Sequence, residues 1–406
     1  MSDPFQAVRI DSRAFKQDSH RFYDWMRSMA PVGKVRLPMV SEGWIVARHA
    51  DVAALLKDPR LVKDRSNAGL QAPSMGVPLL GNILGPVMSS MLERDDPDHA
   101  RLRRLAQVAF SPRQVERMTD RISAVSDELL GRLEPQAQID LIADYALPLP
   151  VIVISEMLGV PARERPIFVQ GSKVLFSLGQ SPAATLIGLP KLLGFLAYVR
   201  KLVARRRASP GEDLISALLQ AREAGAALSD DELLSMIVLL LTAGHETTTN
   251  LIGNGVLALL RSPGAAERLR AEPEMTETAI EELLRFASPA ETSTFRYARE
   301  DMEIAGVSIR RGDVVLGLIA SANRDETVFG DPHRLDLSRS PNRHLTFGMG
   351  GHYCLGAPLA RLEGAIAIPA LLNRFPSLRQ AANQRDPSWR PGIVLRGLQS
   401  LPLLTR

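Results

Sequence analysis

Cysteine is almost missing from this chain, with one thiol, Cys354, in 406 residues. One thiol closes no internal disulfide and cannot supply paired thiolates to a structural zinc site, which excludes a disulfide scaffold and a zinc finger. Aromatic residues are scarce at 5%, and no basic segment is interleaved with them. Charge of one sign is also lacking, since 49 basic and 45 acidic residues leave a formal charge of +4. That bias is too small to argue for a nucleic-acid partner. The basic run Val199–Arg207, "VRKLVARRR", reads as a solvated helix face. Long apolar runs are absent too: "LLSMIVLLL" from Leu233 is too short for a bilayer, and its continuation carries His245 and Glu246. The opening "MSDPFQAVRIDSRAFK" has no apolar signal-peptide core, so a cytoplasmic protein without a membrane anchor is expected.

What the chain does have is material for a large core, at 45% hydrophobic residues. Length alone would suggest two domains, but no Gly-Ser or Pro-rich linker and no internal repeat divides the sequence. We therefore expect one continuous domain over residues 1–406, mostly α with a small β portion. "DELLSMIVLLLTAGHETTTNLIGNGVLALL", "AAERLRAEPEMTETAIEELLRF" and "LARLEGAIAIPALLNRF" carry helical spacing. "VGKVRL", "GWIVAR", "MEIAGVSI" and "DVVLGLI" are the best strands, the last two predicted to form a hairpin through Arg310–Asp313, "RRGD". Ser66–Leu92 and Val174–Pro190 carry no charged residue and are rich in Gly, Pro and Ser, a composition suited to apolar lids.

The lone cysteine sits in "FGMGGHYCLG", Phe347–Gly356, among Gly348, Gly350, Gly351 and Gly356. A buried free cysteine is ordinarily a small hydrophobe. Glycines permit a tight fold against something flat, and the helical pattern that follows places the sulfur near a helix N-terminus, which favours a thiolate. Such a thiolate could be a nucleophile with His352 as base, a metal ligand, or an axial ligand of haem, and only the last needs nothing beyond the one sulfur.

At its fixed positions "FGMGGHYCLG" resembles the haem-binding signature F-G-x-G-x-H-x-C-x-G of the cytochrome P450 superfamily, soluble bacterial type. The resemblance extends along the chain. It implies a helix-rich triangular prism with a small β region and haem b buried between two long helices, Cys354 being the axial thiolate. Phe347, Gly348 and Gly356 belong to the same cradle, and His352 becomes a propionate partner rather than a base. His99 and Arg103 of "DDPDHARLRRL" and Arg296 of "TSTFRYARED" match the other propionate positions, and His344 of "RHLTFG" is a further candidate. Glu282 and Arg285 of "EELLR", with Arg339, match the buried ion network beneath the haem.

"AGHETT" resembles the oxygen-activating segment of that family. There Ala243 and Gly244 leave room at the distal face, the Thr247 hydroxyl anchors water, and Glu246 links that water to solvent for proton delivery. The function implied is a haem-thiolate monooxygenase acting on an apolar polyketide, terpenoid, steroid or fatty-acyl compound, with Thr292, Ser293 and Thr294 as polar anchors. Electrons would come from a separate ferredoxin and ferredoxin reductase. Arg101, Arg104, Arg113 and Arg361 would form the docking face of a monomeric enzyme. A peroxide-driven peroxygenase and a non-catalytic haem ligand-binding protein are the alternatives.

Overall fold

The architecture is that of a computed structural model, which describes residues 8–37, 40–70, 90–107, 110, 112–177, 182–221, 228–381 and 387–406. Helices dominate, and the longest runs from Asp230 to Arg261 through the centre of the molecule. Its start is written in the sequence. The Ser229 hydroxyl accepts from the N–H of Glu232, and the Glu232 carboxylate accepts from the N–H of Ser229, a reciprocal cap. Asp230, Asp231 and Glu232 meet the positive end of the helix dipole and Arg261 the negative end. Most of its side chains are buried on every face, as expected of a helix that crosses a core rather than coating one.

The helix after the cysteine, Ala357–Arg374, packs against this central helix and against Thr119–Leu133. Two glycines set the close approach: a Cβ at Gly364 would stand 3.0 Å from Leu251, and one at Gly255 would stand 3.3 Å from Ile368. The pattern read as one helix over "AAERLRAEPEMTETAIEELLRF" is broken at Pro273, giving Ala265–Ala271 and Thr276–Phe286 on either side of a short 3-10 turn.

The strands are β1 (Val32–Leu37), β2 (Val40–Val46), β3 (Leu61–Val62), β4 (Gln138–Asp140), β5 (Arg296–Ala298), β6 (Met302–Ile304), β7 (Val307–Ile309), β8 (Val314–Gly317), β9 (Arg379–Gln380) and β10 (Pro402–Leu404). They form a five-stranded sheet in the order β1-β2-β8-β5-β3, a three-stranded sheet β4-β10-β9 and the two-stranded ribbon β6-β7.

The predicted hairpin is wrong. β6 pairs with β7 inside "MEIAGVSI", where Ala305 and Gly306 both take positive φ and make the tight turn. In "RRGD" the Asp313 carboxylate accepts from the N–H of Arg310 at 3.0 Å, and the chain leads on to β8, which pairs with β2 and β5 instead.

Of the first predicted lid, residues 71–89 lie outside the described residues; of the second, 178–181 do. The second does not read as the loop its composition suggested, because helices Arg165–Ser177 and Pro182–Ala208 occupy both flanks, with Pro190 inside the latter. Among the described residues no helix is long and apolar enough to cross a membrane.

Candidate functional site

A largely apolar cavity lies between the central helix and the cysteine helix, enclosing about 1580 Å3 of space free of protein atoms, part of it continuous with solvent. Leu239, Leu240, Leu251, Ile154 and Phe110 supply apolar lining, and Met91 and Leu92, from the end of the first predicted lid, join them.

The cysteine loop forms one wall. Gly348 and Gly350 have φ of 71° and 72°, a region costly for residues with a Cβ, and a Cβ at Gly350 would also stand 3.1 Å from the carbonyl oxygen of Leu56. The loop is closed by Gly348 N–H to Leu345 O at 2.8 Å and by Cys354 N–H to Phe347 O at 2.9 Å. Cys354 lines this cavity with its surface exposed, although protein atoms surround it densely. Phe347, Gly348, His352 and Gly356 line the same wall, and the guanidinium of Arg361 covers the Phe347 ring at 4.5 Å.

Burial pushes the Cys354 thiol above its ordinary value, although the N–H groups of Gly356 and Ala357 and the charges of Arg103 and Arg361 oppose it. The N–H groups at the helix start act in the direction expected of them, and loss of water outweighs them. A bound cation at the sulfur would reverse the balance, because a coordinating thiol is deprotonated outright.

Basic side chains converge beside the cysteine. His99 and Arg103, one turn apart on Asp98–Gln107, and Arg296 on β5 all line the cavity. The His99 and His352 rings stack with centroids 3.9 Å apart. Burial, then the charges of His99, Lys63, Arg296 and Arg103, push His352 down to about 2, leaving a neutral ring able to donate one N–H. Burial also lowers His99, against the pull of Asp96 at 3.3 Å, and brings Arg296 down to about 10. Arg296 donates to the carbonyls of Leu61 at 3.3 Å and Leu56 at 3.2 Å, while its buried Nε has no partner among the described residues. An orphaned buried donor within a cluster of cations and imidazoles fits a group that carries carboxylates.

His344 is not part of that cluster: its Nε2 lies 3.1 Å from Glu281, which also takes two hydrogen bonds from Arg361 at 2.6 and 2.9 Å. Of the four arginines read as a docking face, Arg361 is thus paired, and Arg101 is paired with Glu232. Arg104 is exposed, and the side chain of Arg113 lies outside the described residues.

On the central helix Ala243, Gly244 and Thr247 line the cavity, whereas Glu246 does not. Glu246 lies 3.9 Å from Arg390 at the helix flank. The Thr247 hydroxyl donates to the carbonyl of Ala243 at 2.8 Å. Thr292, Ser293 and Thr294 also line the cavity, but two of their hydroxyls are engaged locally. Thr292 donates to Ser293 O at 2.9 Å; Ser293 donates to Thr294 O at 3.2 Å and accepts from Gly317 N–H.

Below the cysteine loop Glu282 takes both Arg285 hydrogen bonds at 2.7 Å, one from Arg339 at 3.1 Å and one from Asn342 at 3.1 Å. Arg285 spends its remaining donors on the carbonyls of Asn323, Pro332 and Arg334. Every charge in this buried network is partnered, and it pins the segment that leads into the cysteine loop.

Sequence reasoning missed two residues. Glu363, on the cysteine helix, lines the cavity fully buried, with Oε2 unpartnered among the described residues; burial raises it to about 8 against the pull of a hydrogen bond from Thr248. A glutamate inside "LEGAIAI" was the available signal. Lys63, buried behind Thr294, left no signal at all.

The sequence pattern of the family described as Cytochrome P450 matches residues 195–399. A cytochrome P450 of Bacillus subtilis (strain 168) is 41% identical over 396 residues, 97% of this chain and 96% of its own length. This chain belongs to the cytochrome P450 family. Solved P450 structures agree over nearly the whole length. The P450 PksS of the bacillaene polyketide synthase of Bacillus subtilis 168 superposes with a TM-score of 0.91 at 40% identity, covering 98% of this chain and 99% of that one. A myxobacterial P450 in complex with myristic acid gives 0.92 at 39% identity, covering 98% of each. The helix-rich fold with small sheets is the P450 fold, and the family implies a haem-thiolate cofactor.

Proposed function

We propose that this P450 monooxygenase holds haem b through the Cys354 thiolate and inserts one oxygen atom into an apolar substrate of the polyketide or fatty-acyl kind, with electrons from a separate ferredoxin and ferredoxin reductase. The observation that carries the reading is one cavity that brings together the cysteine loop, the basic cluster and the Ala243–Thr247 turn of the central helix. The names of the similar P450s, one of the bacillaene polyketide synthase and one in complex with myristic acid, support the substrate class.

When bound, the haem supplies the activation of dioxygen. The protein's residues do the rest. Arg103, Arg296, His99 and His352 hold the cofactor's carboxylates, and the Gly348–Gly350 turn lets the backbone lie flat. The apolar lining binds and orients the substrate and excludes water around the reacting carbon. Thr247 holds a water-borne proton at its Oγ1, and Glu246, at the helix flank beside Arg390, feeds protons inward as a general acid.

The test is turnover with ferredoxin, its reductase and isotopically heavy dioxygen on a panel of polyketides and fatty acids. One heavy oxygen atom per product molecule is expected. Product from peroxide alone, with none from the reductase system, would replace this reading with the peroxygenase one.

A further inference from the structure

Lys63 follows β3 and is 3% exposed, an ammonium taken out of water. Among the described residues no carboxylate pairs with it. Its nearby acids are already committed. Asp95 accepts from the backbone N–H groups of Lys63 and Asp64 and from Asn67, and Glu93 caps its own turn through Ser90. Burial, with Arg296 adding to it, pushes the Lys63 ammonium well below its ordinary value. A buried cation left in that state is strongly destabilising unless an anion completes it.

Where the ammonium points says which anion. Nζ donates to the carbonyl oxygen of Phe295 at 2.9 Å and to Oγ1 of Thr294. Phe295 directly precedes Arg296, and both Thr294 and Arg296 line the cavity. Because Lys63 donates to Thr294, a hydroxyl lone pair is used while the hydroxyl hydrogen stays available. Among the described residues no acceptor takes it, so it can be donated into the cavity. The threonine is thereby polarised toward the cavity by the amine behind it.

We infer that the Lys63–Thr294 pair is a further carboxylate-binding element of the haem site, Thr294 donating to a porphyrin carboxylate and Lys63 supplying the buried charge behind it. The inference rests on the haem-thiolate reading above. It adds a third basic side chain to Arg103 and Arg296, with His99 and His352 as neutral donors, one whose charged form a bound carboxylate would favour.

The test compares wild type, Lys63→Met, Lys63→Arg and Thr294→Val as haem-loaded proteins, measuring haem transfer to apomyoglobin and the ferric/ferrous midpoint potential. A lost charge-assisted bond speeds haem transfer in Lys63→Met by about tenfold or more. The midpoint becomes more negative, because the ferrous state carries the extra negative charge that Lys63 offset. Lys63→Arg recovers part of both effects, and Thr294→Val, which keeps the ammonium, speeds transfer with a smaller change in midpoint. Wild-type transfer rate and midpoint in both Lys63→Met and Thr294→Val overturn the inference. So does weakened binding of myristate but not of its methyl ester in Lys63→Met with haem retention unchanged, since the carboxylate would then be the substrate's. A wild-type protein that takes up no haem defeats the functional reading itself.

Discussion

The two walls of the cavity are built in opposite ways. The cysteine wall is shaped by short-range constraints: positive φ at Gly348 and Gly350, and hydrogen bonds from Cys354 to Phe347 and from Gly348 to Leu345. The wall formed by residues 289–296 and 393–395 is held by groups far away in sequence. Glu291, completely buried, accepts from Tyr23, 268 positions distant, and from Arg396 at 3.0 Å, while Arg396 also donates to Lys16 O at 2.7 Å. Lys63 reaches Thr294 across 231 positions. The cysteine loop is closed within residues 345–354 and pinned from below by the Glu282 network; the other wall, which carries Thr294 and Arg296, is held by chain segments 105 to 268 positions away.

The sharpest way to break this contrast is to attack the support of the cysteine wall. Arg285→Ala leaves Glu282 as a buried charge with Arg339, Asn342 and the N–H of Asp336 but without its bidentate partner, and unfolding in denaturant should show a loss of about 3 to 5 kcal/mol. A loss below about 1 kcal/mol would mean the network is not what holds that segment.

Next in size is Thr247→Val, which removes a hydroxyl from the cavity but leaves the helix packing. Product formed per dioxygen consumed should fall by about 100-fold, within the range of a lost acid-base group, with the unfolding midpoint nearly unchanged. Equal loss of stability and activity would place Thr247 among structural residues.

On the other wall, Tyr23→Phe removes one donor from Glu291, which retains Arg396. A loss of about 1.5 kcal/mol is expected, together with weaker fatty-acid binding and an unaltered haem spectrum. A changed haem spectrum would show the walls to be coupled.

The smallest effect, read at pH 5, belongs to Glu363. Its carboxyl, raised to about 8 in the fold from an ordinary 4.5, stays protonated while the unfolded chain ionises. Both states are protonated below pH 4.5, so stability falls as pH rises from 4.5 to 8 and then levels. Glu363→Gln should abolish that slope while changing stability at pH 5 by less than about 1 kcal/mol. A slope that survives the substitution would assign it elsewhere.

This contrast also explains what could be read from the chain alone. The glycines, the lone thiol and the capped central helix are local statements, so "FGMGGHYCLG" and "LLLTAGHETTTN" announced themselves, and Glu282 with Arg285 shares one helix face. Arg339 and Arg296 were legible only through the family resemblance. Lys63 and Tyr23 were not legible, because nothing in "LVKDR" or "RFYDW" says which strand or carboxylate each meets. The hairpin misplaced to "RRGD" failed for a related reason: Ala305 and Gly306 make the tighter turn, and β8 is drawn to β2 and β5 by tertiary packing.

The central claim is that Cys354 ligates haem iron, and the reduced, carbon-monoxide-bound spectrum tests it most directly. Wild type should show the red-shifted Soret band of thiolate ligation, and Cys354→Ala should bind haem, if at all, without that band. The same band surviving in Cys354→Ala, or missing from the haem-loaded wild type, would contradict the account.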